Sequence, residues 1–143
     1  MSSYSAYSGS GQDQIDPFDA GDGNIWRKAE YLGRYLFAAD FLRLHRPNLV
    51  ADISCGRGYG AAELAAVAGR VIGVDGDQSL IEWAKGSIEK DNLNFLYKDL
   101  NEEELYPDIA EGSAAAVISC ETLEHLLDPK RALSQFNRIL RPE

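Results

Sequence analysis

The nine residues from Asp52 to Gly60, with the sequence DISCGRGYG, decide the fold. They overlap the end of an apolar run, LVADIS (Leu49 to Ser54), which is typical of a buried parallel strand. Glycines between a strand and a helix allow a tight turn and let a ligand approach main-chain N–H groups at the helix N-terminus. The stretch therefore predicts a ligand-binding loop in an α/β fold.

Acidic residues at a regular spacing extend this pattern along the chain. Asp52, Asp75, Asp99 and Glu121 follow short apolar runs, and successive acids are 23, 24 and 22 residues apart. Each interval has room for one strand and one helix, so the sequence predicts four parallel strands joined by right-handed helical crossovers. Ligands of such sheets bind outside the carboxyl ends of the strands, where these acids lie.

Hydrophobic periodicity predicts the elements around the glycine loop. The further strands are predicted at Arg70 to Asp75, Leu93 to Leu100 and Ala114 to Cys120. The helix before the first strand has a predicted buried face of Leu32, Tyr35, Leu36, Ala39 and Leu42. Either Asp77, or Ser79 in a capping box with Glu82, is expected to begin the helix after the second strand. Asp128 and Pro129 are suited to the start of the last helix, whose predicted face includes Leu133.

Composition bounds the class of protein. The chain has 143 residues, 45% of them hydrophobic, with 14 basic and 23 acidic side chains and a formal charge of −9. Residues 1–23 lack periodicity and predict a flexible tail, and residues 24–143 predict one folded domain. No apolar run suits a membrane span, and the negative charge disfavours nucleic acid or an anionic membrane as partner. Two distant cysteines, Cys55 and Cys120, fit a reducing, cytoplasmic compartment.

The glycine loop alone leaves two ligand classes open. Gly56, Gly58 and Ala61 also satisfy the dinucleotide fingerprint, and Asp75 stands 19 residues after Gly56, where an acid that binds ribose is expected. Asp52 begins to separate the two classes because a buried carboxylate must be paired or hydrogen-bonded. It either holds the amides of the loop or supports a loop that faces a ligand's ammonium group, and a dinucleotide site does not usually require an acid there.

From about Glu30 onward the chain resembles class I S-adenosylmethionine-dependent methyltransferases of the small-molecule type 11 or type 12 kind. The segments that carry the resemblance are DISCGRGYG, VIGVD (Val71 to Asp75), YKDL (Tyr97 to Leu100), ISCETLEHLLDP (Ile118 to Pro129) and RILRPE (Arg138 to Glu143). The resemblance implies a Rossmann-like parallel sheet with helices on both faces. It also implies S-adenosyl-L-methionine as cofactor and a small-molecule methyl acceptor, methylated on oxygen or nitrogen.

The resemblance further implies a set of residues around the cofactor. Its members are Asp52, Ser54, Gly56, Gly58, Asp75, Gly76, Asp99, Leu100 and Cys120. Within this set Asp75 would hold the ribose hydroxyls, Asp99 with Leu100 the adenine, and Cys120 would lie beside the sulfonium. Two positions depart from the family pattern, since Ser54 stands where Gly or Ala is commoner and Ala115 replaces an Asp.

Catalytic candidates come from the segment after the fourth strand. His125 is expected as the base that removes a proton from the acceptor, the alternative being a histidine that only caps or packs. Glu121 is the second candidate, beside the sulfonium. The spacing of Glu121, Glu124 and His125 would also gather them on one face of a helical turn, where they could bind a divalent metal. On the leading helix, Arg34 and Tyr35 could reach the cofactor's carboxylate, the alternative for Tyr35 being packing, because it also lies on the predicted buried face.

The length suggests an incomplete fold. The methyltransferase sheet has seven strands in the order 3-2-1-4-5-7-6, and this sequence supplies strands 3-2-1-4. We expect either a fragment or a protomer whose exposed fourth strand is covered by another copy or a partner chain. A nucleotide-binding module that needs a partner is therefore the alternative function. An NAD(P)-binding half-domain is disfavoured by Asp52 and by the ETLEH sequence at Glu121 to His125.

Overall fold

The computed structural model describes residues 25–101 and 109–142, so the predicted flexible tail lies outside the described residues. The elements are α1 (Ile25–His45), β1 (Leu49–Ile53), α2 (Tyr59–Leu64), β2 (Arg70–Asp75), α3 (Gln78–Ser87), β3 (Leu93–Tyr97), β4 (Ala116–Ser119), a 3₁₀ turn (Leu123–His125) and α4 (Pro129–Ile139). Within the described ranges, no helix is long and apolar enough to cross a membrane.

The four strands form one parallel sheet in the order β3-β2-β1-β4. This confirms the predicted strand order and the Rossmann-like α/β class. The parallel register brings the carboxyl ends of all four strands to one edge, because Ile53 of β1 lies opposite both Val74 of β2 and Ser119 of β4. The loops that follow the strands therefore meet at this edge.

Two apolar clusters cover the two faces of the sheet. Alternate residues of a strand point to opposite faces, so Val50 packs with α1, α2 and α3 while Ala51 and Ile53 pack on the side of α4. Asp52 has the same parity as Val50 and consequently faces α1. This placement puts a carboxylate between the sheet and the leading helix.

Several boundaries and faces differ from the sequence prediction. Strand β3 ends at Tyr97 rather than at Leu100, and Leu36 and Leu133 are 46% and 49% exposed instead of buried. The predicted capping box is wrong, because Asp77 caps α3 by accepting the N–H of Ser79 at 2.8 Å and the Ser79 hydroxyl at 2.6 Å. Asp128 caps α4 as predicted, accepting the N–H of Arg131 at 3.0 Å.

The outer side of β4 is partly covered by the backbone that follows α4. Leu140 makes a parallel bridge with Ala114, just before β4. The N–H of Ala114 donates to Ile139 O at 2.9 Å, and the N–H of Arg141 donates to Ala114 O at 2.8 Å. The backbone is therefore already paired just before the edge strand β4 begins.

Candidate functional site

The glycine loop turns sharply because three of its residues have positive φ. Ser54, Gly56 and Gly58 have φ of 65°, 54° and 80°. The N–H groups of Ser54 and Cys55 both donate to Val74 O, at 2.8 and 3.0 Å, which ties the loop to β2. A Cβ at Gly58 would lie 2.5 Å from the Phe95 ring, so glycine is required there for space as well as for conformation.

Asp75, at the end of β2, holds the loop in place. Its Oδ2 accepts the N–H of Gly56 at 2.7 Å and its Oδ1 accepts the N–H of Asp77 at 2.9 Å. Burial raises the pKa of this carboxyl, and the backbone hydrogen bonds oppose the rise. The role of binding the loop's amides, one of two expected for Asp52, thus belongs to Asp75. Its oxygens keep lone pairs that could accept a pair of hydroxyl groups.

Asp52 is fully buried, and only one of its two carboxylate oxygens has a hydrogen-bond partner. Its Oδ1 accepts the Tyr35 hydroxyl at 3.1 Å, while Oδ2 is buried without a hydrogen-bond partner. Burial raises the pKa of Asp52 to about 7; the hydrogen bond from Tyr35 opposes this rise and the nearby charge of Asp75 adds to it. An unsatisfied buried carboxylate is costly, so a ligand's donor group at Oδ2 would relieve that cost.

Helix α1 forms one wall of the site through Tyr35. A Cβ at Gly60 would overlap the Tyr35 ring, so the absence of a side chain at Gly60 lets α1 lie directly against the start of α2. The burial of Tyr35 raises the pKa of its hydroxyl, and the charge of Asp52 adds to the rise. Tyr35 therefore serves both packing and the orientation of Asp52.

The neighbouring Arg34 links α1 to the segment after β4. Its Nη2 lies 2.7 Å from an oxygen of Glu30 and 3.0 Å from an oxygen of Glu121. Its Nη1 is buried and has no hydrogen-bond partner. The guanidinium carbon stands 5.3 Å from the centroid of the Tyr31 ring, which further fixes its position.

The turn after β4 brings Cys120 and Glu121 to the same edge of the sheet. Glu121 has a φ of 52°, a conformation that a non-glycine residue rarely adopts. Burial raises the pKa of the Cys120 thiol; the charge of Asp52 adds to the rise and that of Arg34 opposes it. Buried Thr122 stabilises the turn by accepting from Ser119 Oγ at 2.8 Å and donating to Cys120 O at 3.1 Å. Sequence reasoning missed Thr122, although it lies inside the ETLEH motif.

The shared helical face that a metal site at Glu121, Glu124 and His125 would need does not form. Glu121 precedes the 3₁₀ turn in a left-handed conformation and its carboxylate pairs with Arg34, so Glu121, Glu124 and His125 are not on one helical face. In the described parts of the chain, no group of three or more His, Cys, Asp or Glu side chains could hold a metal ion. His125 is exposed at the end of this turn, and its N–H donates to Thr122 O at 3.0 Å.

The ends of β2 and β3 also meet. A Cβ at Gly76 would lie 3.7 Å from the Cα of Asp99. Oδ1 of Asp99 accepts both the backbone and the side-chain N–H of Asn101, at 2.9 and 3.1 Å. Leu100, expected against adenine, is buried in the apolar cluster that contains Phe136. Asp99 and Gly76 are thus the predicted residues that border this part of the edge.

Helix α3 supports the loop with an aromatic contact that the sequence did not reveal. The guanidinium carbon of Arg57 lies 5.3 Å from the centroid of the Trp83 ring, and the Tyr59 ring meets Trp83 edge-on at 5.4 Å between centroids. These contacts fix the outer side of the loop against α3.

The residues present fit a nucleoside ligand that carries an amino acid group. The edge of the sheet holds the carboxylate of Asp75, a loop with positive φ at Gly56 and Gly58, a buried acceptor without a partner on Asp52 and a buried donor without a partner on Arg34. The unpartnered pair has opposite charges, as an ammonium and a carboxylate of a ligand would require.

Comparison with known proteins gives relatives of one kind. Residues 51–143 match the family model described as methyltransferase domain. A ubiquinone biosynthesis O-methyltransferase of Coxiella burnetii is 35% identical over 94 residues, which are 65% of this chain and 39% of the relative. The solved structure of an S-adenosylmethionine-dependent methyltransferase from Aquifex aeolicus superimposes with a TM-score of 0.62 at 19% sequence identity. The match covers 90% of this chain and 69% of the Aquifex aeolicus chain, and at this identity it shows the fold alone.

A third match is a chain of the complex between the Haloferax volcanii Trm112 methyltransferase activator and a methyltransferase. Its sequence is 26% identical to this chain and the TM-score is 0.63. The match covers 85% of this chain and 53% of the Haloferax volcanii complex's chain. This chain spans only 26% and 39% of the length of two curated relatives that it matches. Because the family model covers most of the sequence from β1 onward, the chain belongs to the methyltransferase-domain family.

Proposed function

We propose that this chain forms the S-adenosylmethionine-binding part of an enzyme that transfers a methyl group to a small-molecule acceptor, most simply to a hydroxyl. The observation that carries the proposal is the hydrogen bond from the N–H of Gly56 to Asp75 Oδ2 at 2.7 Å. This hydrogen bond holds the glycine loop beside the carboxylate to which we assign the ribose hydroxyls. Family membership supports the cofactor class. The Coxiella burnetii relative supports oxygen as the methylated atom.

The cofactor's parts are assigned to separate residues along the edge. Asp75 accepts the ribose hydroxyls, Gly76 and Asp99 border the adenine, and the N–H groups of the loop around Gly56 and Gly58 face the amino acid part. The unpartnered Oδ2 of Asp52 accepts from the ammonium group, which favours the ionised carboxylate. Cys120 borders the reacting sulfur.

Methyl transfer requires the protein to align the donor and the acceptor, and it requires no covalent bond to a protein side chain. When bound, the cofactor would supply a methyl group from its positively charged sulfur: the acceptor oxygen would bond to the methyl carbon as the carbon–sulfur bond breaks, with the neutral thioether S-adenosylhomocysteine as the leaving group. The protein holds the donor against β1 and β2 and positions the acceptor over the turn after β4. We assign the removal of the acceptor's proton to His125, since it is an exposed imidazole on that turn. Glu121 acts on this side through its ion pair with Arg34.

Partners and compartment are part of the proposal. The Haloferax volcanii match is found in a complex with an activator protein, and we infer that a partner segment extends the sheet beyond the bridge between Ala114 and Leu140. Cys55 and Cys120 are free thiols, which agrees with a cytoplasmic enzyme.

Calorimetric titration of the 143-residue chain with S-adenosylhomocysteine, the demethylated product, tests the cofactor site. Asp75→Asn should lower the affinity at least about 10-fold, because the ribose hydroxyls lose a charged acceptor. Asparagine keeps one oxygen for the N–H of Gly56 but loses the acceptor for the N–H of Asp77. Asp91→Asn, at an exposed acid before β3, is the matched control and should bind like wild type. Equal affinity in Asp75→Asn and the control would reject the assignment.

A further inference from the structure

Asn101 connects the end of β3 to the segment that follows the 3₁₀ turn. We propose that Asn101 is a positioning residue that couples occupancy of the adenine end of the site to the position of His125 on the acceptor side. This inference rests on the proposed function and extends it, because it makes the two ends of the site respond to each other. Neither the glycine loop nor the ETLEH sequence contains Asn101.

The Asn101 side chain bonds to two segments that are far apart in the sequence. Its Nδ2 donates to Asp99 Oδ1 at 3.1 Å, and its Oδ1 accepts the N–H of Leu127 at 3.2 Å. A carboxylate accepts and a backbone N–H donates, so these two partners fix which way the amide points. One short, planar group therefore holds Asp99 and Leu127 relative to each other.

The backbone of Asn101 adds further connections that do not depend on its side chain. The N–H of Asn101 donates to Asp99 Oδ1 at 2.9 Å, and Nη2 of Arg131 donates to Asn101 O at 2.6 Å. The N–H of Arg131 in turn donates to the N-cap residue Asp128 at 3.0 Å. Truncating the Asn101 side chain would thus leave the start of α4 attached to the end of β3.

The bond to Leu127 restrains an exposed part of the backbone. The Leu127 side chain is 68% exposed, so its burial contributes little to holding the segment in place. His125 lies two residues before Leu127 and is exposed as well. Segments with few buried apolar contacts move at low free-energy cost. The position of His125 therefore depends on the hydrogen bond that Asn101 provides.

A ligand at Asp99 acts on the same network. Oδ1 of Asp99 already accepts two donors of Asn101, so we assign the adenine amino group to the other oxygen. A carboxylate held by a ligand on one side and by Asn101 on the other loses rotational freedom, and the amide is restrained with it. Occupancy of the adenine end thereby restrains Leu127 and the turn that carries His125.

The chain has two histidines, His45 and His125, which makes the coupling measurable by NMR. Adenosine is the probe, because it has the nucleoside part and lacks the sulfur and the amino acid part. It should shift the imidazole C–H signal of His125 in wild type. The signal of His45, which lies at the end of α1 with its ring 5.1 Å from that of Phe41, should not move. A His125→Gln spectrum assigns the two signals.

Asn101→Ala should lose the His125 shift but keep the affinity for adenosine within about 3-fold, because Asp75 and Asp99 are retained. Asn101→Asp keeps an acceptor for the N–H of Leu127 but has no side-chain donor for Asp99, so it should lose the shift as well. The matched control is Asn137→Ala, at an exposed asparagine of α4, which should respond like wild type.

A full His125 shift in either Asn101 variant would overturn the inference. So would an adenosine affinity that falls far more than 3-fold in Asn101→Ala, since Asn101 would then support the ligand site itself. A wild type that binds S-adenosylhomocysteine but shows no His125 shift with adenosine would also overturn it. If wild type binds neither adenosine nor S-adenosylhomocysteine, the proposed function itself fails.

Discussion

At the residue scale, Asp52 connects the chemistry of the site to the stability of the fold. The carboxyl is fully buried, one oxygen accepts from Tyr35, and the other has no hydrogen-bond partner. A protonated Asp52 is cheaper to bury than an ionised one, which is why burial raises its pKa to about 7. The site thus contains a carboxyl that titrates near neutral pH before a ligand binds.

Because burial raises its pKa, Asp52 should make the folded chain less stable as pH rises. Between about pH 4 and pH 7 the folded chain binds more protons at Asp52 than the unfolded chain, so the free energy of unfolding should fall as pH rises through this window. The loss from Asp52 is on the order of 2–4 kcal/mol. Asp52→Asn should flatten this slope in urea unfolding curves measured from pH 5 to pH 8.

Asp75 has a pKa shifted in the same direction, so the slope of the Asp52→Asn variant should be reduced rather than zero. Glu63→Gln, a partly exposed acid on α2, serves as control and should keep the slope of wild type. If the free energy of unfolding depends on pH equally in wild type and Asp52→Asn, Asp52 is ionised in both the folded and the unfolded chain.

At the element scale, the start of α3 shows how a local cap is chosen. Asp77 accepts the N–H groups of Ser79 and Leu80 at 2.8 and 3.4 Å, and it also accepts the hydroxyl of Ser79. The Ser79 hydroxyl is thus a donor here and does not cap the helix. Asp77 rather than Ser79 caps the helix because Asp77 directly precedes α3 and has the extended backbone of an N-cap residue, with a φ of −104°.

Substitution at these two positions separates their roles. Asp77→Ala should lower the free energy of unfolding by about 1 kcal/mol, because two N–H groups of the first turn lose their acceptor. Ser79→Ala should cost less, since the backbone N–H of residue 79 still reaches Asp77. Thermal or urea unfolding measures both, and a larger loss in Ser79→Ala than in Asp77→Ala would contradict the assignment.

The elements also show what the sequence could and could not predict. The order of strands, the N-cap Asp128 and the glycine loop follow from patterns along the chain, because apolar periodicity and turn chemistry are local. The exposure of Leu36 and the role of Thr122 depend on how elements pack, which no local pattern contains. The same holds for the Arg34 to Glu121 ion pair, since its partners are 87 positions apart in the sequence.

At the scale of the whole molecule, the edge of the sheet proposed as the ligand site joins segments that lie far apart in the sequence. Helix α1, the glycine loop, the ends of β2 and β3, and the turn after β4 all contribute groups to it. Each of these segments packs on one of the two apolar clusters through its own element. Binding at this edge should therefore stabilise the fold as a unit.

A saturating ligand should raise the melting temperature by mass action. At a concentration about 100 times its dissociation constant, S-adenosylhomocysteine should add about 2.7 kcal/mol, which corresponds to roughly 5–10 °C for a chain of this size. Differential scanning fluorimetry measures the shift. NAD⁺ at the same concentration should leave the melting temperature unchanged, and a larger shift with NAD⁺ would favour a dinucleotide site instead.

The contact between Arg57 and Trp83 has an optical consequence. The sequence contains two tryptophans, and Trp26 is 83% exposed on α1 whereas Trp83 lies partly buried against the glycine loop. The indole of Trp83 is thus a natural fluorophore in contact with the glycine loop, and replacing Trp26 by phenylalanine would leave Trp83 as the single tryptophan that emits. The same cationic stacking that braces the loop makes this chain its own reporter of loop position.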